Sequence, residues 1–330
     1  AYTKADVAPP PQAQGSRPQI APVNLDLMQK RILVDEGVVE PAVAGEQVLV
    51  LLGEGRSIYA VPMADDLPPD EITRADLAVE GSITGAIVAG LDEQLLLATS
   101  VYRFLLLTPR QLLDLQEIDM QLAHLHRLEK EEVYCSLASW EKAQGMERLL
   151  MATSLGFARA YPMHILRESV EAPVPLRFDH PLPGLPVSLF GVEREDQLLL
   201  LTRGGRGTRW PVSGLEISGT QVMNCGKEDR LKLALSVELD QEIALITNDG
   251  FGRLLLPEWL LIPQMPNRRG RSLIARSSEL AGAGAGPQWA FTTNAVHPLS
   301  TTGLPLAKST RTEQALPLDA DEIVQALLPR

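Results

Sequence analysis

The chain has 330 residues, of which 22% are charged and 5% aromatic, and its formal net charge is −12 at pH 7. A balance this acidic argues against a surface that is basic all round, and two cysteines 90 residues apart, Cys135 and Cys225, exclude a disulfide scaffold and a cysteine-based metal knuckle. No apolar stretch approaches the about 20 residues that a membrane span needs, so the sequence reads as a soluble, cytoplasmic protein with reduced thiols and no membrane partner.

In chain order, residues 1–28 are rich in Pro, Ala and Gln without periodicity, the composition of a flexible arm. Two strand-like runs follow and lead into residues 47–62, the first copy of a unit that recurs at 94–109, 148–162, 197–211, 242–257 and, in decayed form, 288–305. Each copy is an apolar run, a Thr or its stand-in, a Gly-containing turn and a second run closed by Pro, which is the pattern of a strand, tight turn and strand. The Thr positions are Leu52, Thr99, Thr153, Thr202, Thr247 and Thr293, spaced by 47, 54, 49, 45 and 46 residues. Between copies lie further β-rich runs at 82–88, 187–192 and 231–237. Residues 117–142 are the one place where helix competes, with Leu122, Leu125 and Leu128 at helical spacing, although 133–140 is strand-like in composition. Residues 307–330 read as a tail with a short helix: Asp319 caps, Asp321 and Glu322 occupy the first turn, and Ile323, Leu327 and Leu328 share one side.

Six strand-rich copies with a period of about 48 residues predict an all-β fold, a six-bladed β-propeller over residues 29–306. The runs are contiguous rather than alternating, as at 198–201, so these strands are covered on both faces. Gly55, Gly156, Gly205 and Gly250, three residues after the Thr position, fit a turn site that needs positive φ. Tyr102 and Val296 break that rule in two copies. The repeated Thr reads as structural, its hydroxyl satisfying a backbone group at the turn.

Charge is distributed unevenly: residues 1–196 hold 16 basic and 29 acidic residues, whereas 197–275 hold 10 and 8. An anionic partner would therefore meet the fourth and fifth copies, where Arg203, Arg206, Arg209, Lys227, Arg230, Lys232, Arg253, Arg268, Arg269 and Arg271 are the candidate phosphate contacts. If these arginines are instead paired with local carboxylates, the ring is a scaffold that meets a basic protein through its acidic first three blades. The run Gly204-Gly205-Arg206-Gly207 lacks the GK[ST] ending and following helix of a nucleotide loop. His124 and His126 would share a face if they lay on a strand, but no third ligand has suitable spacing. The sequence calls for no catalytic residue, metal or cofactor.

The stretches LLMATSLGFARAYP (149–162), QLLLLTRGGRGTRWP (197–211) and EIALITNDGFGRLLLP (242–257) resemble the blade signature of the C-terminal domain of the DNA gyrase A subunit and its topoisomerase IV counterpart, a β-pinwheel propeller. The resemblance covers residues 30–306 and implies a non-enzymatic ring whose rim binds or bends duplex DNA through Lys and Arg contacts to phosphate, with a topoisomerase or other protein as a further partner. It includes no counterpart of the family's DNA-cleaving part and its Tyr nucleophile, so strand cleavage by this chain is not implied. After Pro62, where that family's gyrase members carry a basic box, this sequence reads DDLPPDEITRADLAV, which is acidic. The nearest look-alike, Asn267-Arg268-Arg269-Gly270-Arg271-Ser272, follows the fifth copy and reads as an inter-blade loop.

Overall fold

The computed structural model describes residues 47–63, 81–172, 176–177, 180–274, 278–301, 303–306, 313–318 and 322–329. The predicted arm at 1–28 lies outside them. In chain order the first hairpin is β1 (Gln47–Gly53) with β2 (Ile58–Met63), and β3 (Ile83–Gly90) returns to β1. The second is β4 (Leu95–Thr99) with β5 (Arg103–Leu107), followed by helices α1 (Pro109–Glu117) and α2 (Leu122–Leu125) and then β6 (Tyr134–Ser139), which pairs with β4. Helix α3 (Trp140–Gln144) leads to β7 (Arg148–Thr153) and β8 (Phe157–Pro162), then α4 (Met163–Val170), β9 (Leu176–Arg177) and β10 (Pro186–Val192). The fourth repeat is β11 (Gln197–Thr202), β12 (Arg206–Pro211), β13 (Thr220–Gln221) and β14 (Leu231–Val237). The fifth is β15 (Ile243–Thr247), β16 (Phe251–Leu255), β17 (Arg271–Ser272) and β18 (Leu280–Ala285). The sixth is β19 (Gln288–Thr292), β20 (Val296–Leu299), β21 (Gln314–Ala315) and β22 (Val324–Pro329).

These strands form six antiparallel sheets, each centred on one hairpin. After each hairpin from the third to the sixth, the chain first reaches back: β9 pairs with β5, β13 with β8, β17 with β12 and β21 with β16. Only then does it supply the inner strand of its own sheet. Every such crossover ties two neighbouring sheets together through main-chain hydrogen bonds. The inner strands touch in the order β3, β6, β10, β14, β18, β22 and back to β3, so the sheets close into a ring.

The contiguous apolar runs follow from this closure. Side chains alternate across a strand with period two, and each central strand lies between two neighbouring sheets, so both of its faces need apolar cover. In β11, Leu198 and Leu200 pack with Leu150 and Ala152 of the third repeat, while Leu199 and Leu201 pack with Ile243 and Leu245 of the fifth. The same division holds at the seam, where Leu49 and Leu51 of the first repeat meet Trp289 and Phe291 of the last.

The turns meet their expectation closely. Gly55, Gly156, Gly205 and Gly250 all have positive φ, at 72°, 80°, 68° and 75°. Tyr102 takes the same conformation at 61°, and its hydroxyl donates within a buried site to the carbonyls of Leu182 and Gly184, both at 2.6 Å. The Thr position is where the central and inner strands shift register, a bulge in every sheet. Thr99, Thr202 and Thr247 each accept the N–H four residues on. By this register the equivalent residues of the first and sixth copies are Gly53 and Thr292, one position from Leu52 and Thr293. With that shift Val296 falls in β20 rather than in the turn.

One expectation is corrected. The C-terminal segment is not a helix from 323 onward: Val324–Pro329 is β22, the inner strand of the sixth sheet, which extends the ring past residue 306. Val324, Ala326 and Leu328 are buried while Ile323 is 52% exposed, a period-two pattern set by pairing with β19. The strand-like stretch 133–140 is β6 (Tyr134–Ser139), and the competing helical spacing before it is met by the short helix Leu122–Leu125, with a further helix, Pro109–Glu117, ahead of the region. Thr108 begins the first helix with a capping box, accepting from Gln111 N–H while the Gln111 side chain accepts from Thr108 N–H.

Candidate nucleic-acid interface

In five of the six hairpins an arginine stands in the turn or in the second strand, and the structure gives it a common task. Arg56 Nε donates to the carbonyl of Glu132 at 2.8 Å, Arg103 Nη1 to His126 at 3.2 Å and Arg159 Nη1 to His180 at 3.2 Å. In the later repeats Arg206 Nη1 donates to Gly270 at 3.0 Å, Arg209 Nε to Leu260 at 2.9 Å and Arg253 Nη1 to Leu273 at 2.6 Å. The acceptors all lie in the crossovers between repeats. These irregular segments leave carbonyls without sheet partners, and a guanidinium offers several donors in one plane to hold them.

This task already engages three of the predicted phosphate contacts, Arg206, Arg209 and Arg253. Arg253 is 1% exposed, its Glu313 partner stands at 4.0 Å, and burial pushes its guanidinium below the usual arginine range. It cannot reach a phosphate. Arg206 and Arg209 are half-buried and committed to the crossover. Arg203 is exposed but paired with Glu279 at 2.6 Å. Lys232, half-buried on β14, has its ammonium lowered first by burial and then by Arg203 beside it.

The remaining cations converge. The segment after β13 and the segment before β17 run side by side: Met223 and Arg268 form a parallel bridge, Asn224 N–H donates to Arg268 O at 3.1 Å, and Asn267 N–H donates to Val222 O at 3.2 Å. Arg269 lies over Gly226, where a Cβ would stand 3.5 Å from its Nη2. Lys227, Arg230, Arg268, Arg269 and Arg271 are all exposed. Arg230 Nη1 donates to the Lys227 carbonyl at 2.9 Å, which folds it into the same patch. Glu228 is exposed beside it, while Asp229 accepts from the backbone N–H groups of Gly204 and Arg230 at 2.9 and 2.8 Å. The cationic residues thus divide between the mouth of the central channel, lined by Arg203, Arg230 and Lys232, and one outer patch between the third and fourth sheets, which Arg230 joins through Lys227.

The channel mouth is a cavity of about 680 Å³ lined by residues of all six repeats, among them Glu54, Arg203, Lys232, Asn248 and Glu279. Cys135 also lines it, and burial pushes its thiol up to about 12, so the sulfur is held as the weakly nucleophilic neutral thiol. His124 sits in α2 and His126 at its C-terminal end rather than on a strand, so the two do not share a face. Neither expectation from sequence pointed to the apolar residues that precede the outer patch: Leu261, Ile262 and Met265 are 85%, 42% and 60% exposed. Their signal in the sequence is the run LLIPQMP, in which two prolines break what otherwise reads as a strand.

No protein-family model matches the sequence, and no curated protein matches it. Among solved structures, the DNA gyrase A C-terminal domain superposes with a TM-score of 0.67 at 11% sequence identity, over 86% of this chain and 99% of that chain. The C-terminal domain of DNA topoisomerase IV superposes with a TM-score of 0.60 at 14% identity, over 87% and 94%. The ring of antiparallel sheets knitted by backward crossovers is therefore the fold of the gyrase A and topoisomerase IV C-terminal domains, which this chain resembles over most of its length.

Proposed function

We propose that this chain is a non-enzymatic, duplex-DNA-binding propeller of the gyrase A C-terminal kind, which holds phosphates through Lys227, Arg230, Arg268, Arg269 and Arg271. The observation that carries this reading is the gathering of these five exposed cations where two crossovers run side by side, none of them in an ion pair among the described residues. Exposed guanidiniums fixed by a rigid backbone suit phosphate, and such contacts position a duplex without reading its sequence. The patch is local, so the contact is a short one rather than a wrap around the whole rim.

The test is fluorescence anisotropy of a labelled duplex about 40 base pairs long across a salt series. Four or five phosphate contacts correspond to a fall in affinity of roughly four powers of ten per tenfold rise in salt. The variant Arg268→Glu, Arg269→Glu, Arg271→Glu abolishes the binding, while Arg203→Ala leaves it within about threefold because that side chain is already engaged by Glu279. An absence of binding at low salt overturns the reading. One observation favours a second reading, a protein-interaction scaffold: Arg203 and Arg253 are paired with Glu279 and Glu313, as expected of a ring that has turned its cations inward. Duplex binding that is abolished by the triple substitution excludes it as the sole function.

A further inference from the structure

Residues 261–266 form a loop whose physical character differs from that of the crossovers around it. Three of its six residues are large and apolar, and Leu261, Ile262 and Met265 all project into solvent. Both ends are pinned. On one side Leu260 is 4% exposed, its N–H donates to Pro257 O at 3.0 Å and its carbonyl accepts from Arg209. On the other, Asn267 and Arg268 are hydrogen-bonded to Val222 and Asn224. Pro263 and Pro266 restrict the backbone between these anchors. The loop is therefore a short, stiffened protrusion with an apolar tip, and the exposed arginines of the outer patch begin at its base.

We propose that this protrusion is a wedge that enters the base stack of a bound duplex and kinks it, while Arg268, Arg269 and Arg271 hold the flanking phosphates. The inference rests on the DNA-binding reading above and deepens it. An apolar tip needs an apolar destination and a cationic base needs an anionic one; a duplex supplies both within a few ångströms, as stacked base steps lined by phosphates. Leu, Ile, Met and Pro are the residue types that unstack base steps, and arginine is the type that holds the backbone beside them. An anionic membrane offers the same two chemistries but presents a broad plane to a chain of net charge −12, whereas a duplex meets only a narrow strip of it. The neighbouring crossover provides an internal contrast. Ile217 occupies the place of Ile262, three residues past the end of a 3₁₀ turn, and is 89% exposed, but it is flanked by Glu216 and Ser218 rather than by exposed arginines.

The experiment uses the full chain, a 40-base-pair duplex with a donor and acceptor dye at its ends, and a second duplex with 2-aminopurine beside a central TA step. The wild-type chain raises end-to-end energy transfer and 2-aminopurine emission. The variant Leu261→Ser, Ile262→Ser, Met265→Ser binds within about threefold with the same salt slope, yet leaves both signals at the level of the free duplex. Ile217→Ser behaves as wild type. Wild-type binding without either signal, or equal signals from the triple Ser variant, overturns the wedge while leaving DNA binding intact. No binding by the wild-type chain overturns both. Sedimentation with phosphatidylserine vesicles is the third arm: vesicle binding that depends on the three apolar residues, without any duplex distortion, assigns the loop to a lipid surface and overturns the wedge.

Discussion

Gly156 and Gly55 lie in equivalent hairpin turns, one position apart by strand register, and both have positive φ, yet they meet different surroundings. A Cβ on Gly156 would stand 2.1 Å from the Met223 carbonyl oxygen, the atom-to-atom contact at which the neighbouring crossover passes, whereas a Cβ on Gly55 would meet nothing within 4 Å. Gly55→Ala therefore costs only the left-handed backbone penalty, about 1–2 kcal/mol. Gly156→Ala adds a backbone clash that no side-chain rotation relieves, and an unfolding free energy lower by about 3 kcal/mol or more is expected. Urea denaturation of the two variants side by side checks the difference, and equal losses would refute the packing argument. The positive φ was legible from sequence because it is a local demand of the turn. The crowding at Gly156 was not, since the atom that causes it lies 67 residues away in the chain.

At the scale of elements, the repeat is best understood where it is broken. In the second to fifth sheets a two-residue strand from the next crossover covers the outer edge of the hairpin, but between β5 and β6 the chain forms α1 and α2 instead. Helix α1 packs on β2, and Gln116 substitutes for the missing strand: Ala60 N–H donates to Gln116 Oε1 at 2.7 Å, and Gln116 Nε2 donates to Ala60 O at 3.1 Å. One side-chain amide reproduces the paired hydrogen bonds of a ladder on a residue that is 2% exposed. Gln116→Leu leaves both backbone groups of Ala60 without these partners, and a loss of about 2 kcal/mol is expected, together with faster amide exchange at Ala60 measured by NMR. Unchanged exchange there would show that the amide pairing carries no weight. Sequence reasoning recognised the helical spacing at Leu122 and Leu125 and the strand-like run at 133–140, and the chain takes both in that order, but it did not foresee the helix at 109–117. The capping box at Thr108 and Gln111 was the local signal for where that helix begins.

For the whole molecule, stability depends on closing the ring. Strand β22 supplies the inner strand of the sixth sheet and touches both β18 and β3, so it bridges the last repeat to its neighbours on either side. Ala326 and Leu328 pack into the seam cluster with Leu49, Leu51 and Trp289. Removing residues 322–330 exposes that seam and unpairs β19 along one edge. Truncation is expected to shift Trp289 emission to longer wavelength and to replace one cooperative unfolding transition by a broader one at lower urea, because in repeat architectures each unit leans on its neighbours. A truncated chain that unfolds as sharply as the full one would mean that closure contributes little.

The sequence by itself determined the six-fold period, the all-β character, the apolar runs covered on both faces and the left-handed turns, because each of these is a local property of spacing and residue type. Only the tertiary structure decided what the arginines do. Arg253 and Arg268 are alike in sequence, but one is enclosed against the Leu273 carbonyl and the other stands in solvent at the base of an apolar loop. The tertiary structure also turned the C-terminal segment into β22, because its apolar residues fit a helix or a strand almost equally well and the open edge of β19 favoured the strand. Exposure and pairing of a long charged side chain depend on which distant crossover passes over it, and a crossover that reaches back to the preceding sheet brings together residues that no local spacing relates.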